Sequence, residues 1–159
     1  MRLLFKQRFF SWLDSYDIYD EDGNTAFTVK GRLSFGHCLD IYDRTGTGIG
    51  TVKEELLHFL PHFRMYAGGQ YIGEMYQKLT FLKPSFRLDC NGWRVDGDIF
   101  EWDYDVTDAD GGHIAHLSKQ LFHFTDTYVL DISDPRNALT VLMIALVIDA
   151  AKCSDDNNR

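Results

Sequence analysis

Short runs of alternating apolar and polar residues fill most of the chain, and a glycine sits between successive pairs of runs. Gly23, Gly46, Gly69 and Gly92 lie 23 residues apart, and Gly111 follows 19 later. The first unit reads Tyr16-Asp17-Ile18-Tyr19-Asp20, a Gly23 turn, then Phe27-Thr28-Val29-Lys30. The second reads Leu39-Asp40-Ile41-Tyr42-Asp43, a Gly46 turn, then Ile49-Gly50-Thr51-Val52-Lys53. Three more units follow around Gly69, Gly92 and Gly111. A period of two marks a half-buried strand. Asp-Gly and Asn-Gly supply the positive φ angles of tight hairpin turns. The pattern predicts five β-hairpins in series. An opening strand, Leu3 to Phe9, and a late strand, Thr127 to Ile132, bring the total to about twelve. Hairpins in series bury their apolar faces against their neighbours, as a sandwich or a closed barrel.

The end of the chain favours the barrel. Ser133-Asp134-Pro135 is a helix start, a polar cap followed by proline in the first turn. Ala138 to Ile148 is then apolar on every side, broken only by Thr140. A helix that is apolar all round is buried all round. Its length, about 17 Å, matches a strand of five or six residues. Val, Ile and Thr are mediocre helix formers, so the run alone also reads as a buried strand; its length and its start signal favour the helix. A twelve-stranded barrel is wide enough to need filling. The fold class expected is therefore mainly β: an antiparallel closed barrel of about twelve strands around a buried C-terminal α-helix. A single domain over 1–153 is expected, with a polar tail at 154–159. A filled barrel leaves no internal ligand cavity, so binding falls to the exterior.

This architecture resembles the tubby C-terminal-like superfamily, and within it the LURP-one-related family. The resemblance is carried by Gly97-Asp98-Ile99-Phe100-Glu101-Trp102-Asp103-Tyr104, by Ile114-Ala115-His116-Leu117-Ser118-Lys119, by Asp126 to Ile132, and by the Ala-Leu-rich helix ending Ile148-Asp149. It implies a twelve-stranded barrel around a C-terminal helix. Relatives in the superfamily include tubby proteins, which bind phosphoinositide headgroups, and phospholipid scramblases with calcium dependence. No tubby phosphoinositide site maps residue by residue onto this chain, and no motif in the resemblance is a catalytic signature.

Composition narrows the class. The chain has 159 residues, 45% of them apolar, with 16 Lys and Arg against 24 Asp and Glu and a formal net charge of −8. That length suits one domain with a real core. The negative balance argues against a nucleic-acid binder. It also opposes long-range attraction to an anionic membrane. The acidity is concentrated, however. Residues 95–112 hold seven acids and no Lys or Arg, whereas residues 1–94 carry 12 basic and 11 acidic groups. A local basic face is therefore compatible with the total. Cys38, Cys90 and Cys153 form no Cys-x-x-Cys, which argues against a disulfide framework and for reduced, cytoplasmic thiols. The start lacks the apolar stretch of a signal peptide. The longest apolar run is about half a membrane span, so no transmembrane segment is expected.

Candidate chemistry is sparse. Lys6, Arg8, Lys30, Lys53, Lys78 and Lys119, with Arg32, lie on or near strands, several on the returning strand of a hairpin. On one shared face they form a phosphate-binding patch; otherwise they are ordinary polar-face residues. Asp96, Asp98, Asp103 and Asp105 offer oxygen ligands suited to calcium, and alternate positions share a strand face. EF-hand spacing is absent, and the plainer reading is a sheet edge protected by charge. His113 and His116 fall on opposite strand faces, His58 and His62 flank Pro61, and His37 and His123 have no obvious partner. Gly46-Thr47-Gly48-Ile49-Gly50 lacks phosphate-loop spacing. No Gly-x-Ser-x-Gly elbow occurs, no cofactor is implied and no catalytic residue can be nominated, although triads assemble in space. Asp149, if buried, needs a partner, expected to be strand backbone at the barrel mouth. The function expected is a non-enzymatic cytoplasmic binding or scaffold domain, contacting phospholipid headgroups or a protein through the barrel exterior. The alternative is a calcium-responsive, phospholipid-interacting protein of scramblase type using residues 96–110.

Overall fold

The computed structural model describes residues 1–6, 15–80, 84–98, 101–122 and 125–157. Alternation along the sequence becomes alternation of burial. In β1 (Arg2–Lys6), Leu3 and Phe5 are buried while Arg2 and Lys6 are exposed. Then come β2 (Ser15–Asp20), β3 (Thr25–Ser34), β4 (Gly36–Tyr42), β5 (Gly48–Glu54), β6 (His62–Ala67) and β7 (Gln70–Leu79). The rest are β8 (Pro84–Asp89), β9 (Arg94–Asp98), β10 (Asp103–Thr107), β11 (His113–Phe122) and β12 (Thr125–Ile132). All join one antiparallel sheet of 12 strands, in which spatial order follows chain order and β1 pairs with β12. Residues 7–9 of the expected opening strand lie outside the described residues.

Glycine turns gather at one end of the barrel, the upper rim. Three share one design. Asp20, Asp43 and Asp108 each accept backbone N–H bonds from two and four residues on, at 2.7–3.1 Å. Gly23, Gly46 and Gly111, three residues after each Asp, take the positive φ. The aspartate thus closes the turn with its own side chain, and a ladder irregularity precedes it at Ile18/Tyr19, Ile41/Tyr42 and Val106/Thr107. Odd-numbered strands run down from this rim, and the lower rim carries the other connections.

The strands form the expected antiparallel barrel, nearly closed, with a seam between β8 and β9. The turn at Asn91-Gly92 forms, with φ of 55° and 70° and the Trp93 N–H donating to Cys90 O at 2.9 Å. No ladder extends from it. Glycines draw each edge strand onto its other neighbour. A Cβ at Gly73 would overlap Asp89 and Cys90, and one at Gly97 would overlap Asp103 and Tyr104. β8 is held against β7, and β9 against β10.

After β12, Asp134 caps a 3₁₀ turn, Pro135–Asn137, by accepting from the Arg136 N–H at 2.9 Å. α1 (Ala138–Asn157) follows and descends through the barrel. Every residue from Val141 to Ala151 is buried. Gly50 lets β5 approach the helix, since a Cβ there would overlap Met143 Cε. The helix runs through residues 154–157, placed in the tail by the sequence reading. Lys152–Asn157 contains no Gly or Pro to stop it. At the lower mouth, Trp102 stacks on Tyr128 at 3.9 Å, and Phe5 packs on Tyr128 at 4.9 Å. Trp102 is fully buried at a φ of 55°.

Asp149 is buried beside this aromatic group. Its partner is a side chain rather than strand backbone. Burial pushes the carboxyl up to about 6, against a hydrogen bond from the Tyr128 hydroxyl and the nearby charge of Lys152.

Candidate functional site: barrel exterior and lower rim

Because odd strands all run downward, lysines late in them share one end of the barrel. Lys6 is the last residue of β1, and Lys53 and Lys78 are the penultimate residues of β5 and β7. Lys30 lies in the lower half of β3, and Lys119 in that of β11. Arg8 lies outside the described residues. Lys30, Lys53 and Lys78 alternate with the inward residues Val29, Val52 and Gln77, so they stand on the outer wall. Lys119 differs. It lies opposite Tyr128, in the same register as the buried Ala115 and Leu117, and is exposed at the lower mouth. The candidate cations are thus one rim, with four on the wall and one at the mouth.

Two arginines complete the wall. In register, Arg32 lies opposite Cys38, Cys38 opposite Lys53, and Lys53 opposite Arg64. This row runs across strands, so it became visible only with the register. Like charges directly opposite repel. Arg32 is tied to Asp40 at 2.7 and 3.2 Å, and Arg64 lies 3.5 Å from Glu55. Burial would raise the Asp40 carboxyl, but hydrogen bonds from Arg32 and Thr51 hold it below the usual carboxylate range. Among the described residues, Lys6, Lys30, Lys53 and Lys78 make no ion pair within 4.0 Å. Lys30 and Lys78 instead lie over the rings of Tyr42 and Tyr76, at 4.9 and 5.8 Å. Cys38, beneath Arg32, and Cys90 are buried free thiols, and burial pushes both thiols up.

The lower rim is also apolar. Phe35, Leu56, Leu57, Phe59 and Leu79 are the five most exposed large apolar side chains among the described residues. Phe35 follows β3, Leu56, Leu57 and Phe59 follow β5, and Leu79 ends β7. The β5–β6 loop is built rather than loose. The Glu55 N–H donates to His62 O at 2.8 Å, and the Gln77 N–H to Pro61 O at 2.9 Å. His58 stacks on His62 at 4.0 Å, and His62 on Tyr76 at 5.0 Å.

The acidic stretch divides. Asp108 is a turn former. Asp96 lies opposite Asp105, and Asp98 opposite Asp103, all on the outer register of the β9–β10 hairpin. His116 lies 2.8 Å from Asp105 and 3.4 Å from Asp103. No group of three or more His, Cys, Asp or Glu among the described residues is placed to hold a metal ion. His37, which had no evident partner in sequence, pairs with Glu54. His123 lies outside the described residues.

A groove of about 500 Å³ lies on the outer wall, lined by Leu4, Tyr19 and Val129 between Arg2 and Lys6. No helix residue lines it. No helix among the described residues is long and apolar enough to cross a membrane.

Comparison with known proteins yields two matches. The model of a family described as LURP-one-related matches residues 1–149. An uncharacterized protein, YxjI, from Bacillus subtilis (strain 168), is 31% identical over 158 residues, covering 99% of this chain and 97% of the relative. No solved structure matches.

Proposed function

The chain belongs to the LURP-one-related family, and we propose that it is a non-enzymatic, cytoplasmic binding domain that contacts phospholipid headgroups through the exterior of its lower rim. One observation carries the reading: lysines from separate strands, Lys6, Lys30, Lys53 and Lys78, meet on one end of the barrel without carboxylate partners among the described residues. An ammonium without a counter-ion is a ready partner for a phosphate oxygen. Cys38 and Cys90, both free thiols, suit a reducing compartment. The packed helix leaves the exterior as the binding surface.

The test is vesicle binding against ionic strength. Affinity for anionic vesicles should fall with added salt and with Lys30→Glu or Lys53→Glu. Binding that ignores both changes refutes the reading. The alternative is a calcium-responsive phospholipid contact through Asp96, Asp98, Asp103 and Asp105, which face one another across the β9–β10 hairpin. Calcium titration with no heat and no thermal shift removes it.

A further inference from the structure

The two rims of the barrel differ in kind. Above, Asp20, Asp43 and Asp108 close short polar turns. Below, Leu57, Phe59 and Phe35 stand 99%, 96% and 94% exposed, with Leu79 at 70% and Leu56 at 58%. Contiguous exposed apolar groups on a folded domain mark a contact surface. These belong together: a Cβ at Gly36, beside Phe35, would lie 3.2 Å from Leu56 Cγ, so the β3–β4 turn is seated against the β5–β6 loop. Behind the tips come Lys53 and Lys78, one residue before the ends of their strands, and then Lys30. Apolar groups outermost and cations one step back is the layering of an anionic bilayer surface, acyl boundary first and phosphates above it. The acidic β9–β10 hairpin turns at the same rim but across the seam, its strands four and five round from β5.

We propose that the lower rim along β3 to β7 inserts into an anionic bilayer. Leu57, Phe59 and Phe35 enter the headgroup–acyl boundary, Lys53 and Lys78 sit at phosphate level, and a tilt toward β5 lifts the acidic hairpin clear of the surface. The proposal rests on the headgroup reading above and adds that the partner is an assembled bilayer, met end-on. Penetration of this kind reaches roughly 5–10 Å.

The experiment is flotation of the full chain with phosphatidylcholine vesicles, with and without phosphatidylserine, at low and high salt. Wild-type protein should float with the phosphatidylserine vesicles and keep part of its binding in high salt. Leu57→Ser and Phe59→Ser should each weaken vesicle affinity about tenfold, from the lost burial of one large apolar side chain. Both positions are exposed, so thermal unfolding should not change. In Phe59→Trp, emission should shift to the blue on vesicle addition. Phosphatidylserine binding that survives the double Ser substitution, with no shift in Phe59→Trp, overturns insertion and leaves the headgroup reading standing. Equal, rim-dependent binding to phosphatidylcholine alone keeps insertion and removes the headgroup reading. Absence of vesicle binding removes both, and a dimer dissolved by the Ser substitutions then assigns the rim to a second copy.

Discussion

Replacing Asp149 with Asn should stabilise the protein at neutral pH and do nothing at acid pH. Asp149 is buried on α1, with the Tyr128 hydroxyl donating to it and its carboxyl pushed up to about 6 by burial. In the unfolded chain the same group titrates near 4. Between those values the folded state holds a proton that the unfolded state has released. Stability from this group is therefore fully present below about pH 4 and falls as pH rises to about 6. Two pKa units correspond to about 3 kcal/mol of destabilisation above that window. Asn keeps the shape and the acceptor for Tyr128 without the charge. Urea unfolding of wild type and Asp149→Asn, each from pH 4.5 to 7.5, isolates the group, because every other titration cancels in the difference. The variant should be about 2–3 kcal/mol more stable at pH 7.5, a melting shift of about 4–12 °C for a chain of this size, with the difference shrinking to about 1 kcal/mol at pH 4.5. A difference that does not change with pH refutes the titration argument. A variant less stable at pH 7.5 shows that the charge is wanted, with Lys152 as its partner.

Other expectations concern the core and the turns. Leu142→Ala, at a fully buried helix position, should destabilise by about 2–5 kcal/mol by transfer and cavity terms, read by denaturant unfolding. Gly50→Val should crowd the helix face of β5, meeting Met143 Cε, Leu139 Cδ1 and the Tyr66 carbonyl oxygen; a lower melting temperature reports it, and an unchanged melting curve shows that the Met143 side chain swings aside. Asp43→Ala removes the acceptor for the Thr45 and Thr47 N–H groups and should cost about 1 kcal/mol.

Much of the fold was legible because strand, turn and helix are local problems. Each glycine turn supplied its φ angles, and the all-apolar run had no place except an interior. The seam was not legible. Asn91-Gly92 specifies a turn, but whether a ladder follows depends on what Gly73 and Gly97 permit on the strands alongside. The site was legible only in part. Lysines near the ends of parallel-running strands could be grouped from direction alone, yet Arg32 and Arg64 joined Lys53 through cross-strand register, and Lys119 proved to face the mouth. His37 and Glu54 are 17 residues apart, and only the register of the β4–β5 pair brings them together.

The position of the helix constrains when the molecule can form. Neighbouring strands in the sheet are neighbours in the chain, apart from β1 and β12, so most pairings close quickly over short loops. The apolar filling of the barrel, however, comes after all twelve strands in the chain. Until Val141–Ala151 emerges, twelve strands have an inner face with nothing to cover it, and domains otherwise begin to fold as they are made. The barrel therefore closes around its helix only after all twelve strands have been made. The unpaired boundary between β8 and β9 is where a curled sheet can stay open until that helix is in place.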